Sequence, residues 1–411
     1  MAAKKKAAKK KTAPTKQTAA KKTAVKKKSV SKPAAKAVVP GSKEDRFVII
    51  MAGGKGERFW PVSRESTPKQ LIRILGDKSF LQEAVERCLP LVPLKNIIII
   101  TNKVQAPEVC RQLPKLPKEN VVAEPVGRDT CAAVTLGAAI VGARSTTATM
   151  AVLPADHVIP DAAKFQKVLE DSFDLASRGQ ALVTIGIKPD EPATGYGYIK
   201  FGKLLPKPKG GKKYRTKFYV ADQFKEKPNY DTALEYVNSG QYRWNAGMFI
   251  WSFVAVAEAL QKHQPEMAAA CHRWFEAAAK GKLDRVLKKE YPEIKKISID
   301  FALMEKAQNV VVADGSFRWD DLGAWNALAR HVKTDREGNA ALAEFVHVDA
   351  ARNIIFDGRT KNRTPIAVVG VKDTILVQTD DAVLLAHKSQ SDKIKLLVKK
   401  LGEHPKFKKL I

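Results

Sequence analysis

The chain has 411 residues, 45% hydrophobic and 28% charged, which is enough for two domains with substantial cores and is an ordinary balance for a protein that folds in water. No apolar run approaches the roughly 18 residues of a membrane-spanning helix, and the N-terminus lacks the apolar core of a signal peptide. Cys88, Cys110, Cys131 and Cys271 stand far apart, which argues against a Cys-x-x-Cys zinc site or a secreted disulfide framework and makes a reducing cytoplasm the expected setting.

The net charge of +29 is uneven, because residues 1–43 hold 15 lysines and no Arg, Asp or Glu. With Lys, Ala, Thr, Ser, Val and Pro and no aromatic residue, this tail cannot bury enough surface to offset the entropy of ordering it, so residues 1–43 are expected to be disordered. Such a tail could bind nucleic acid or other polyanions through counterion release, or could simply be a solvated extension. The absence of arginine weakens a transit-peptide reading.

The first apolar run, Phe47–Ala52, has the length of a buried strand and breaks into Gly53, Gly54 and Gly56, followed by Arg58 and Lys69. Glycines let backbone amides approach a ligand, and the two cations add full charge, so the stretch reads as a phosphate site. Its spacing fits neither the Walker A loop nor the dinucleotide fingerprint. Further strand-length runs fall at 96–101, 121–124, 150–153 and 181–187, separated by helical periodicity over 79–89, 129–141 and 161–177. That alternation predicts an α/β fold, a Rossmann-like doubly wound mixed sheet, with ligands beyond the carboxyl ends of its strands.

After Pro189 the reading changes to β-ribbon and loop through Phe224, with a helix over 230–239, a strand over 243–251, helices over 254–263 and 266–279, and a last βα-like unit from Ile299 to Ala329. Short alternating runs return at 345–348, 353–356, 366–369, 374–378 and 382–387, then an amphipathic helix over 393–401. The expected organisation is a tail over 1–43, a catalytic domain over 44–338 and a small β-rich domain over 339–411.

Several segments carry chemistry. Glu124-Pro125-Val126-Gly127-Arg128-Asp129-Thr130 joins the third strand to a helix; alone it is a routine turn and N-cap. Asp156 closes the fourth strand, where a carboxylate could hold a divalent cation against nucleotide phosphates, though many such acids merely cap the next helix. Trp319-Asp320-Asp321-Leu322-Gly323 offers a second carboxylate; adjacent side chains of an extended segment point opposite ways, so one of the pair is the better ligand. The alternative is that the pair starts a helix over 322–329 and complements its dipole. His157 has no obvious catalytic task and reads as structural.

The pattern Ala-Gly-Gly-x-Gly-x-Arg, then Trp60-Pro61 and Pro68-Lys69-Gln70, resembles the signature of sugar-1-phosphate nucleotidylyltransferases, and its variants resemble the mannose-1-phosphate guanylyltransferase branch. Beyond that pattern, six further segments match in order within residues 47–326: Glu124–Thr130, Leu153–His157, Gly195–Tyr198, Phe224–Pro228, Asn245–Phe249 and Trp319–Gly323. The match weakens over 340–411 and is absent over 1–43. The resemblance implies GTP and mannose 1-phosphate as substrates, Mg2+ as cofactor on Asp156 and Asp321, and catalytic roles for Arg58, Lys69, Asp156 and Asp321. It implies nucleotide contacts from Ala52, Gly53, Gly54, Gly56, Glu124, Pro125, Gly127, Arg128 and Asp129. Gly197, Glu226, Lys227, Asn245 and Gly247 would meet the sugar phosphate. A homodimer is expected, as is a terminal domain of short left-handed β-helix type serving packing or dimer contact. Some relatives carry a further cupin isomerase domain, but the residues after Gly338 are too few for one and lack a His-rich metal pattern, so transferase activity alone is expected. The rival expectations are a thymidylyl- or uridylyltransferase acting on glucose 1-phosphate, and a polyanion-binding protein with a degenerate transferase core.

Overall fold

The structure, a computed structural model, describes residues 41–206 and 213–411. The expected disorder and polyanion binding of the tail lie outside the described residues over 1–40, as does part of the stretch expected to be β-ribbon and loop before Phe224. The described chain falls within one compact unit, Val38–Ile411. No helix among the described residues is long and apolar enough to cross a membrane.

A nine-stranded mixed sheet organises the first three quarters of the chain. Its strands are β1 (Arg46–Met51), β2 (Ile97–Asn102), β3 (Val121–Glu124), β4 (Thr149–Pro154), β5 (Leu182–Ile187), β6 (Gly197–Leu204), β7 (Phe218–Glu226), β8 (Tyr242–Ser252) and β9 (Val310–Gly315). They lie in the order β3-β2-β1-β4-β8-β5-β9-β7-β6. β1 sits between parallel neighbours β2 and β4, with Ile49 opposite both Ile98 and Val152. Both faces of β1 are covered, which is why its sequence is continuously apolar rather than alternating. Val48 and Ile50 pack into one core layer while Phe47 and Ile49 pack into the other, as the two-residue period of a strand requires.

The helices Phe80–Cys88, Asp129–Arg144 and Ala162–Ser177 cross over between the parallel strands. Ser79 and Gln82 form a capping box on the first, satisfying two otherwise orphaned amides. In the second, Gly137 allows close packing on β1, since a Cβ there would lie 2.6 Å from Ile49 Cδ1. The runs predicted over 47–52, 96–101, 121–124, 150–153 and 181–187 match β1 to β5 within about a residue at each end.

Four elements differ from expectation. Short helices at Ala106–Gln112 and Leu283–Glu290 have no counterpart in the sequence reading; each spans about two turns, too short for a periodic signal to stand out. The helix expected over 322–329 is instead a 3₁₀ segment, Trp325–Arg330, because Leu322 takes a positive φ of 44° and the chain cannot enter a helix there. The βα-like unit beginning at Ile299 starts with a π-helical turn, Asp300–Met304, followed by β9.

Beyond the sheet, β10 (Ala340–Leu342), β11 (Phe345–Val348), β12 (Ile354–Asp357), β13 (Ile366–Val369), β14 (Thr374–Gln378) and β15 (Val383–His387) stack as short coils. β10, β12 and β14 pair in parallel, β15 closes that sheet antiparallel, and β11 pairs with β13. Buried asparagines tie the coils together. Asn339 Oδ1 accepts from Asn353 Nδ2 at 3.0 Å, and Asn353 Nδ2 donates onward to Val371 O at 2.8 Å. The terminal helix, Ile394–Glu403, lays Ile394 and Val398 into a core that also holds Phe59, Trp60, Trp325, Phe356 and Ile375. The loop after β1 is thereby packed against the end of the chain. Trp325 Nε1 donates to Trp60 O at 3.1 Å, and Trp60 Nε1 donates to Leu410 O at 2.8 Å.

Candidate active site

β1 and β4 end side by side, so the glycine loop and Asp156 emerge at the same edge of the sheet. The loop turns back at Gly56, whose φ is +60°. A Cβ there would lie 2.4 Å from Lys69 N, so both the turn and the approach of Pro68-Lys69 demand glycine. Gln70 fixes the loop from below, its Nε2 donating to Ala52 O at 2.8 Å and Gly54 O at 3.0 Å. Gln105 adds a bond to Gly54 O at 3.1 Å. These partners set the carbonyls inward and leave the loop's outer edge open.

Lys69 is the centre of the site. Its side chain is only 6% exposed, and its Nζ donates to Asp156 Oδ2 at 2.8 Å and to the backbone carbonyl of Asp321. One ammonium therefore joins residues from the loop, the end of β4 and the segment after β9. Burial pushes the Asp156 carboxyl up, but the Lys69 ammonium beside it outweighs burial and holds the group below its ordinary value. His157 is driven down to about 4, chiefly by burial, and its Nδ1 accepts from Trp319 Nε1 at 3.0 Å, which makes it a neutral structural acceptor.

The two neighbouring acids divide as alternation predicts. Asp320 is bound by Arg330 at 2.7 Å and His331 at 2.8 Å and accepts from Leu322 N. Burial opposes its ionisation, but those bonds hold it down at about 2. Asp321 turns the other way, lines the cleft, and accepts from the Tyr196 hydroxyl at 2.7 Å on Oδ1. Asp156 Oδ1 and Asp321 Oδ2 accept no side-chain hydrogen bond among the described residues. Two carboxylates, each retaining one oxygen beside a cleft, form a hard-oxygen donor set that suits a small divalent cation completing its shell with phosphate and water.

The cleft over this cluster holds about 420 Å³ and is lined by Lys55, Gly56, Arg58, Lys69, Asp156, Asp321 and Lys395 among others. Arg58, which also lines the cleft, pairs through its Nε with Asp392 at 3.2 Å.

Along the next edge of the sheet, Gly53 lies against Glu124, with Oε2 3.1 Å from where a Cβ would stand. Tyr291 donates to Glu124 Oε1, and burial, partly offset by that bond, pushes the carboxyl up to about 7. Asp129 takes a φ of +67° and caps Thr130 N through its own carboxylate at 2.8 Å. Arg128 keeps a buried Nε without a partner. Pro125 lines a separate basic groove beside edge strand β3, and a Cβ at Gly127 would meet open space.

The residues expected to meet the sugar phosphate form a second cluster at the start of β6, the end of β7 and within β8. Gly197 faces Glu226, whose Oε2 would lie 2.4 Å from an added Cβ, so this glycine exists to admit the carboxylate. Glu226 Oε1 pairs with Lys227 at 2.9 Å, while Oε2 is buried without a partner. Asn245 Oδ1 accepts from Thr184 Oγ1 and from Gly247 N, and its Nδ2 donates to Asp300 Oδ1 at 2.7 Å. Gly247 has a φ of +63°.

Asp300 is a member of this cluster that the sequence motifs do not include. Burial, reinforced by the neighbouring Glu226, pushes it up to about 7. A signal existed, since Ile299-Asp300-Phe301 sets a lone acid within an apolar run. Its segment also bridges the two clusters, because Ile299 N donates to Thr130 Oγ1 at 2.8 Å and Glu226 N to Glu305 Oε1 at 3.0 Å.

The family model described as Nucleotidyl transferase matches residues 47–338. The chain belongs to the nucleotidyl transferase family. A second model, described as MannoseP isomerase/GMP-like beta-helix domain, matches residues 343–401. Among similar proteins, the mannose-1-phosphate guanylyltransferase of Escherichia coli K12 is 35% identical over 366 residues, covering 87% of this chain and 74% of that one. The xanthan biosynthesis protein XanB of Xanthomonas campestris is 35% identical over 87% of this chain and 73% of its own length. A crystal structure of a mannose-1-phosphate geranyltransferase from Thermus thermophilus superposes with a TM-score of 0.75 at 34% identity, covering 87% of this chain and 99% of that one.

Proposed function

We propose that this nucleotidyl transferase is a mannose-1-phosphate guanylyltransferase, converting GTP and α-D-mannose 1-phosphate to GDP-mannose and pyrophosphate. The observation that carries the reading is Lys69, a buried ammonium pinned between Asp156 and the Asp321 carbonyl beneath the glycine loop, in a chain 35% identical to a named mannose-1-phosphate guanylyltransferase.

A phosphate oxygen of the sugar 1-phosphate attacks the α-phosphorus of GTP, and the bond from that phosphorus to the β-phosphate bridging oxygen breaks, releasing pyrophosphate. The nucleophile is already an oxyanion near neutral pH, so no general base is required, which agrees with the neutral, hydrogen-bonded state of His157. Catalysis then rests on positioning and on stabilising charge at phosphoryl oxygens. Lys69 neutralises the transferred phosphoryl group from a site where water is largely excluded. The open edge of the Gly53–Gly56 loop receives the leaving pyrophosphate, with Arg58 lining the same cleft. Asp156 and Asp321 would hold Mg2+ through their remaining oxygens. The chemistry that ion supplies when bound is neutralisation of α-phosphate charge.

Glu226 and Asn245 accept and donate to sugar hydroxyls, the unpartnered Glu226 Oε2 being the acceptor most in need of a donor. Lys227 is mostly exposed and meets the sugar's phosphate. Gly53, Glu124 and the segment through Asp129 wall the nucleoside. A pyrophosphate-release assay across four nucleoside triphosphates and several sugar 1-phosphates tests the assignment. GTP with mannose 1-phosphate is expected to be the preferred pair by at least about tenfold in kcat/KM; preference for dTTP or UTP with glucose 1-phosphate would overturn it.

A further inference from the structure

The sequence gives the terminal domain no task beyond packing or dimer contact. We infer that its helix supplies a triphosphate ligand to the active-site cleft, through Lys395. The inference rests on the reading of that cleft as a nucleoside triphosphate site.

Four observations converge. Lys395 lines the same cleft as Gly56, Arg58, Lys69 and Asp156, although it lies in a part of the chain remote in sequence from all of them. It is exposed and makes no ion pair among the described residues, so nothing in the protein consumes its charge. Its helix is fixed relative to the glycine loop: Ile394 and Val398 are buried at 3% and 9% in the core that holds Phe59 and Trp60. Asp392, just before the helix, pairs with Arg58 at 3.2 Å and ties the loop's own arginine to the same element.

The 3₁₀ segment Lys388–Lys393 runs directly into Ile394–Glu403, with Ile394 N donating to Ser391 O, so the backbone at the start of this helix is engaged within the chain. The spacing of Ile394, Val398 and Leu401 defines the inward face, and Lys395, one step round from Ile394, projects beside that face instead of into it. An anion in the cleft would therefore meet the Lys395 side chain and not the helix backbone. The cleft's other cations are engaged: Lys69 with Asp156, Arg58 with Asp392, and Lys55 near Glu57 at 4.0 Å. A triphosphate brings more negative charge than Lys69 and Arg58 balance by themselves, and Lys395, with no ion pair among the described residues, adds a further cation.

The test uses the full chain with Lys395→Ala and Lys395→Arg. Lys395→Ala is expected to raise KM for GTP about tenfold and to weaken inorganic pyrophosphate binding, read by calorimetry, by a similar factor. KM for mannose 1-phosphate should stay within about twofold, and Lys395→Arg should restore most of the loss. Unchanged GTP KM and pyrophosphate affinity would overturn the inference while leaving the transferase reading intact. An equal rise in both substrates' KM would overturn it as well, by showing a general disturbance of the fold. Failure of the wild-type protein to turn over any nucleoside triphosphate or to bind pyrophosphate would instead remove the reading on which it rests.

Discussion

The two halves of the site solve opposite electrostatic problems. Around the glycine loop, acids and cations are matched, Lys69 with Asp156 and Arg58 with Asp392, and Asp156 is held below its ordinary value by the lysine beside it. Around Gly197, acids accumulate instead. Glu226 and Asp300 share a buried corner with Lys227 as the adjacent cation, and Asp300 is pushed up to about 7. The first arrangement suits a polyanion, because charge already balanced within the protein can be redistributed onto phosphates. The second suits hydroxyl groups, because desolvated acceptors lacking donors gain most from a ligand that brings them.

Breaking the loop half should have the larger consequence. Asp156→Asn is expected to lower turnover by on the order of 10³-fold or more, removing both a carboxylate for the metal and the partner of Lys69. Circular dichroism should show a folded protein, and near-normal activity with Mg2+ would remove Asp156 from the metal site. Next comes Gly56→Ala, which forces a side chain onto Lys69 N at a φ of +60°. Denaturant unfolding should show a loss of roughly 1–3 kcal/mol, with turnover falling as Lys69 is displaced. Wild-type stability would mean the turn relaxes freely.

On the sugar half, Glu226→Gln should raise KM for mannose 1-phosphate by roughly 10- to 100-fold and leave GTP binding almost unchanged. A matching loss in GTP affinity would contradict the separation of the halves. The smallest effect is a pH dependence. Asp300 moves from 3.8 in the unfolded chain to about 7 when folded, so folding favours its protonated form. That stability is complete below about pH 4 and is lost as pH rises through about 7, at up to about 1.4 kcal/mol per pH unit. Asp300→Asn should flatten this slope in urea unfolding measured from pH 5 to pH 8; a slope identical to wild type would assign it to another group, Glu124 first.

Much of the molecule was legible from local pattern. β1 reads as a strand because a central parallel strand must be apolar on both faces, and the glycines after it read as a phosphate loop because only glycine tolerates the turn at Gly56. The division of Asp320 from Asp321 followed from alternation, and the structure sends Asp320 to Arg330 and His331 as that argument requires. Less legible were the short helices at Ala106–Gln112 and Leu283–Glu290, whose two turns carry little periodic signal, and the 3₁₀ segment that replaced a helix after Leu322.

What the sequence by itself determined was the alternating sheet and the glycine loop, since these follow from side-chain period and backbone freedom within a few residues, together with a set of candidate site residues. Only the tertiary structure decided which of them meet. Lys69 and the Asp321 carbonyl are 252 positions apart, and nothing in either neighbourhood encodes the bond. The same holds for Asp392 against Arg58, for Lys395 in the cleft and for Asp300 behind Asn245. Each depends on how separate elements pack, a property of the closed core rather than of any stretch of chain.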